Sequence, residues 1–202
     1  RKKISLLKKK LKSIDSERRV QSKKRKSFFR TSFVGYTNVG KSSLMKSVTK
    51  SDVLIRNQLF ATLDTTVRRL FIGNNNYVLL SDTVGFIRNL PDNLIASFKS
   101  TLQEVVDSDL LLIVLDANSK DLFNEIETIK SVLKEINANE IDYKYVFNKI
   151  DLVDTDKISY LKQSFPDSLM VSATRSLQVS DIKDTIAEKY EEWVSALKNP
   201  LH

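Results

Sequence analysis

Gly35-Tyr36-Thr37-Asn38-Val39-Gly40-Lys41-Ser42 fits the pattern G-x-x-x-x-G-K-[ST], a loop that cradles phosphates. An apolar, β-favouring run (Phe28, Phe29, Phe33, Val34) precedes it, and a helical run from Ser43 to Val48 follows. Strand, loop, helix is the setting this chemistry needs. A helix N-terminus carries unpaired N–H groups and about half a positive charge, so it suits an anion. Gly35 and Gly40 let the backbone come close to that anion. Lys41 is expected to reach the β- and γ-phosphates, Ser42 to place its hydroxyl on Mg²⁺, and Ser43 to stand in the first helical turn. The bland alternative is an ordinary glycine turn. The chain has only four glycines. Two lie here, Gly85 ends a second motif and Gly73 sits in a hairpin turn, so glycine is kept where the backbone needs it.

The remaining composition narrows the chemistry. Hydrophobic residues are 41% and charged residues 29%, which suits a soluble domain with a core. No apolar run approaches the roughly 20 residues of a membrane span, and no signal peptide is visible. The absence of cysteine excludes disulfides and thiolate chemistry and suits the cytoplasm. The one histidine is His202, so histidine-based acid–base catalysis is not expected. Charge is uneven. Residues 1–30 hold 14 Lys and Arg against 2 Asp and Glu, a net of +12, while residues 31–202 hold 19 against 23, a net of −4. The basic segment, not the body, is the candidate for polyanion contact.

Residues 1–26 read as a basic helical arm and 27–199 as one domain. In the arm, Ile4, Leu7, Leu11 and Ile14 alternate in steps of three and four, the seam of a helix that packs on a partner. The arm either contacts a polyanion or presents a solvated face. The body alternates strands and helices. Strands are expected at 27–35, 67–72, 77–80, 110–115, 143–147 and 169–172. Gly73-Asn74-Asn75-Asn76 reads as a hairpin turn. Helices are expected at 41–50, 93–108, from Leu122 to Ile136, at 155–164 and at 178–198. In the last, Ile182, Ile186, Tyr190, Trp193 and Leu197 share one face as core residues. The pattern predicts an α/β fold: a six-stranded, mostly parallel sheet with one antiparallel strand and helices on both faces. Ligands of such sheets bind beyond the carboxyl ends of the strands, and every motif here falls at such an end.

Asp82-Thr83-Val84-Gly85 fits D-x-x-G. Its carboxylate can hold the Mg²⁺ shell, and the Gly85 N–H can face a γ-phosphate. Asn148-Lys149-Ile150-Asp151 fits N-K-x-D. A carboxylate at Asp151 accepts from N1–H and the exocyclic amine of guanine, a donor pair that adenine lacks. Asn148 can bond the base edge and brace the loop, and the Lys149 stem can cover a ring face. Ser172-Ala173-Thr174 offers a backbone N–H to the guanine carbonyl oxygen. One such tetrapeptide is weak evidence. All of them in this order, each after an expected strand, specify GTP or GDP with Mg²⁺ as the ligand.

Those motifs are the mark of the translation-factor-like GTPases, and within them the chain resembles the HflX family. The resemblance rests on the phosphate loop, on Leu59-Phe60-Ala61-Thr62-Leu63-Asp64, and on Asp82-Thr83-Val84-Gly85-Phe86-Ile87-Arg88-x-Leu90-Pro91. It continues in Leu94-x-x-Ser97-Phe98-x-Ser100-Thr101-Leu102-x-Glu104-Val105 and spans residues 1 to about 175. It implies a P-loop GTPase fold, with residues 1–26 as the end of a helical arm belonging to a missing N-terminal domain. Val39, Thr65 and Thr174 depart from the family's usual residues, and none of them removes a phosphate or Mg²⁺ ligand. The resemblance implies that Phe60, Ala61, Thr62, Leu63 and Asp64 approach the nucleotide, with Thr62 completing the Mg²⁺ shell. The residues alone leave Thr65 or Thr66 open for that role.

Two residues bear on catalysis beside Lys41 and Gly85. Phe86 stands where most GTPases carry a water-orienting Gln, so slow intrinsic hydrolysis is expected. Asn38 occupies a place where similar GTPases help hold K⁺ near the phosphates; its alternative is to brace the loop. Arg68 and Arg69 read as solvent-facing strand residues. HflX proteins are associated with the large ribosomal subunit and with splitting or rescue of stalled ribosomes, which fits an rRNA-contacting arm. A monomer is expected. Two rival readings are a membrane-surface switch and a nucleotide-dependent scaffold with negligible hydrolysis.

Overall fold

In the computed structural model, residues 28–49, 65–85 and 102–198 are described. Six strands form one sheet: β1 (Arg30–Val34), β2 (Thr66–Gly73), β3 (Asn76–Asp82), β4 (Leu110–Asp116), β5 (Asp142–Asn148) and β6 (Leu169–Met170). Their spatial order is β2-β3-β1-β4-β5-β6. All neighbours run parallel except β2 and β3. The helices are α1 (Lys41–Thr49), α2 (Gln103–Val106), α3 (Leu122–Glu135), α4 (Thr155–Ser164) and α5 (Val179–Lys198).

Burial explains the arrangement. Leu110 to Leu115 are buried without a break, as a central parallel strand covered on both faces requires. Around them Phe33, Leu44, Met45, Ile129, Phe147, Leu161, Ile182 and Ile186 complete one core. The β2–β3 connection is tighter than its composition suggested. Gly73 ends β2 and Asn76 begins β3, so only Asn74 and Asn75 form the turn. Both have positive φ, 50° and 59°, the type I′ geometry that matches strand twist and that asparagine tolerates.

Other differences lie at element ends. The first strand begins at Arg30, whose N–H donates to Asp109 Oδ2 at 2.8 Å. Burial pushes the Asp109 carboxyl above its usual range, with the Arg30 contacts opposing. The last strand closes at Met170 rather than residue 172. Of the helix expected at 93–108, Gln103–Val106 is described. In α5, Ile182 and Ile186 are buried, and Tyr190 and Trp193 pack edge-on against Phe29. Leu197 is 62% exposed and is not a core residue. The basic arm, residues 1–26, lies outside the described residues.

Candidate functional site

The phosphate loop leaves β1 and enters α1. The first intrahelical bond runs from the Leu44 N–H to Gly40 O, 2.9 Å. The N–H groups of Lys41, Ser42 and Ser43 therefore belong to the open first turn, a ready seat for an anion. Lys41 is buried, and its Nζ donates to Gly35 O at 3.1 Å and Tyr36 O at 2.8 Å. Burial lowers its pKa to about 8, against the opposing attraction of Asp82. A phosphate supplies the anion that this desolvated cation needs. Tyr36 and Val39 turn their side chains into the core, so only their backbones can face a nucleotide. Asn38 is exposed with φ 64°. Among the described residues no side-chain bond from Asn38 braces the loop.

Bracing comes from Asn148 instead. Its Nδ2 donates to Val39 O at 2.8 Å, and its Oδ1 accepts from the Ala173 N–H at 3.0 Å. Gly40, at φ 98°, packs so closely on that amide that a Cβ would collide with Asn148 Nδ2. One side chain thus ties the phosphate loop, the end of β5 and the loop after β6 together. Of the two roles open to it, bracing is what the geometry shows. Asn148→Ala would leave a buried carbonyl and a buried N–H unpaired, each at about 1–3 kcal/mol. We expect a stability loss of roughly 2–5 kcal/mol, read from the denaturant midpoint at unchanged m-value.

At the end of β3, Ser42 Oγ donates to Asp82 Oδ2 at 2.6 Å. A hydroxyl and a carboxylate at this spacing are hard oxygen donors and fit Mg²⁺, which takes one or two carboxylates and completes its shell with phosphates and water. No group of three or more His, Cys, Asp or Glu that could hold a metal exists among the described residues. The Thr83 side chain is fully buried and donates to Phe33 O at 2.7 Å, so it anchors the turn. Val84 is buried as well. Gly85 lies against the phosphate loop: a Cβ there would stand 2.7 Å from both the Thr37 N and Cα atoms. Thr66, one alternative to Thr62, pairs with Asp82 in the sheet. Arg68 and Arg69 are exposed, and Arg69 lies 4.8 Å over the Tyr77 ring. Phe60, Ala61, Thr62, Leu63, Asp64 and Phe86 lie outside the described residues.

Asp151 sits exposed in a 3₁₀ turn, Ile150–Leu152, just beyond β5. The Ile150 N–H holds that turn to Val171 O at 3.2 Å. Lys149 adopts a left-handed conformation, φ 65°, and its Nζ meets Asp116 Oδ2 at 2.7 Å. Sequence reading did not single out Asp116, because an Asp at a strand end reads as a turn former. The loop of Ser172, Ala173 and Thr174 closes through paired bonds between Ser172 and Leu177, each 3.0 Å. The Ser172 and Ala173 N–H groups are thereby engaged within the protein.

Residues 30–149 match a family described as "50S ribosome-binding GTPase". The GTPase HflX of Flavobacterium psychrophilum is 52% identical over 151 residues, 75% of this chain and 36% of that relative. The chain belongs to the HflX family of GTPases. The HflX of Escherichia coli is 41% identical over 160 residues, 78% of this chain and 38% of its own. The chain thus spans little more than a third of the HflX relatives it matches. A GTP-binding protein from Sulfolobus solfataricus, solved in complex with GDP, superimposes with a TM-score of 0.65 at 26% identity. That match covers 95% of this chain and 61% of the other. Aquifex aeolicus Era bound to GDP.AlF4- shares the fold at TM-score 0.65 and 20% identity, covering 79% and 56% of the two chains. The P-loop GTPase fold expected from the motifs is the fold observed. No described helix is long and apolar enough to cross a membrane.

Proposed function

We propose that this chain is the switch unit of an HflX-type GTPase that acts on the large ribosomal subunit, in splitting or rescue of stalled ribosomes. The observation that carries this reading is the match of residues 30–149 to a 50S ribosome-binding family. The net charge of +12 over residues 1–30 supports it, since rRNA is a polyanion.

Guanine is selected by the Asp151 carboxylate, and the Lys149 stem lies along the base. The phosphates rest on the N–H groups of Lys41, Ser42 and Ser43. Lys41 neutralises charge that develops on the phosphates, and the Gly85 N–H donates to the γ-phosphate. Ser42 and Asp82 would hold Mg²⁺, joined by Thr62, and the ion neutralises charge on the β- and γ-phosphates. Loss of the γ-phosphate frees Gly85 and Thr62, and with them the segments at about 55–70 and 84–93. Phe86 has no donor or acceptor with which to orient water, so the intrinsic rate is slow and the ribosome completes the site.

Multiple-turnover GTP hydrolysis with and without large subunits tests the reading. We expect stimulation of roughly 10²-fold or more, as partner-completed GTPases show. Faster turnover in K⁺ than in Na⁺, lost on Asn38→Ala, would assign Asn38 to a cation, and equal rates would exclude it. No stimulation by large subunits would overturn the ribosomal reading.

A further inference from the structure

The ends of β4 and β5 carry an ion pair that the nucleotide motifs do not account for. Asp116 and Asn148 face one another in the β4–β5 register. Lys149, one residue further on, reaches from the end of β5 to Asp116 Oδ2 at the end of β4, 2.7 Å away. The other carboxylate oxygen, Oδ1, accepts the Asn118 N–H at 3.0 Å, and the Ser119 N–H bonds Asp116 O at 2.9 Å. The carboxylate is therefore fixed from one side by its own turn and holds the lysine with the other.

The pair is part-buried, its side chains 24% and 25% exposed, and its place matters beyond any contribution to folding. Lys149 also occupies a left-handed conformation that side chains other than glycine avoid. Direction offers an explanation. In the sheet order, β4 lies between β1, which feeds the phosphate loop, and β5, which carries Asp151. A nucleotide with phosphates at Lys41 and base at Asp151 must pass over the end of β4. The Lys149 stem is drawn over that same end by Asp116.

We propose that Asp116 is a positioning residue for nucleotide recognition: it holds the Lys149 side chain over the end of β4, so that its methylene stem forms the wall along base and ribose. This rests on the guanine-nucleotide reading of the site. Among the described residues, the Asp116 side chain bonds Lys149 and Asn118 and forms no bond to the phosphate loop, so its action passes through Lys149. Pre-ordering a long, rotamer-rich side chain removes an entropic penalty from binding.

The test is a double-mutant cycle by calorimetry on the wild type, Asp116→Asn, Lys149→Met and the double variant, with GDP and with inorganic pyrophosphate. Asparagine keeps an oxygen for the Asn118 N–H and sets an amide NH2, which cannot accept from Lys149, in place of the charged oxygen. We expect Asp116→Asn to weaken GDP about tenfold and to leave pyrophosphate, which occupies the phosphate loop alone, unchanged. The double variant should bind GDP no more weakly than Lys149→Met, because the two residues act as one unit. Unchanged GDP affinity in Asp116→Asn would overturn the proposal. So would fully multiplicative losses in the double variant, or a pyrophosphate loss equal to the GDP loss. A wild type that binds pyrophosphate but not GDP would overturn the guanine reading itself.

Discussion

Asp151→Asn loses GDP by a factor of about 10²–10⁴ and gains xanthosine diphosphate. The carboxylate accepts two charge-assisted hydrogen bonds from guanine N1–H and the exocyclic amine. Each such bond to a charged group contributes about 1.5–3 kcal/mol. Asparagine offers one acceptor and one donor on the same frame. Its amide opposes the guanine amine and matches the carbonyl that xanthine carries at that position. The residue is exposed at the lip of the site and lies beyond the core, so the substitution should leave the thermal midpoint nearly unchanged. Competition between the two diphosphates for a fluorescent guanine nucleotide reads the exchange of preference. Retention of wild-type GDP affinity would remove Asp151 from the base site.

Gly85→Ala should separate hydrolysis from nucleotide retention. A Cβ at this position would stand 2.7 Å from the Thr37 N and Cα atoms and 2.8 Å from its Cγ2. Two of those atoms are backbone, so neither side can yield by a rotamer change. The turn after Asp82 must retreat from the phosphate loop, and the Gly85 N–H retreats with it. Loss of one preorganised donor to a phosphate or oxyanion lowers turnover by about 10²–10³. We expect ribosome-stimulated turnover to fall by at least about 100-fold, while GDP, which has no γ-phosphate, binds within a few-fold of wild type. Single-turnover kinetics beside GDP calorimetry distinguishes this from general damage. Equal losses in both would show that Gly85 serves the loop's fold and not the γ-phosphate.

What could be read from residues follows from how local the cause is. The unbroken apolar run from Leu110 to Leu115 could only be an interior parallel strand, and it is one. The helix expected at 155–164, ahead of Pro166, has those bounds, and Asp154 caps it by accepting the Lys157 N–H at 2.8 Å. Leu197 shows the limit of periodicity. Helical spacing says which residues share a face, but not how far along the helix that face is covered. The site divides the same way. Phosphate-loop, D-x-x-G and N-K-x-D patterns are short and local, so their placement at strand ends was visible. Asn148 bridging to Val39 joins residues 109 positions apart, and no pattern within a motif encodes that. Thr83 lies inside D-x-x-G, but its bond to Phe33 O ties it to β1, which the tetrapeptide does not encode. Asp116 became visible only because the sheet sets β4 beside β5.

The most direct test of the account is calorimetric comparison of GDP with ADP on this chain in the presence of Mg²⁺. A carboxylate at position 151 that reads the purine predicts ADP at least about 100-fold weaker than GDP. Equal affinities, or binding of neither diphosphate, would contradict it.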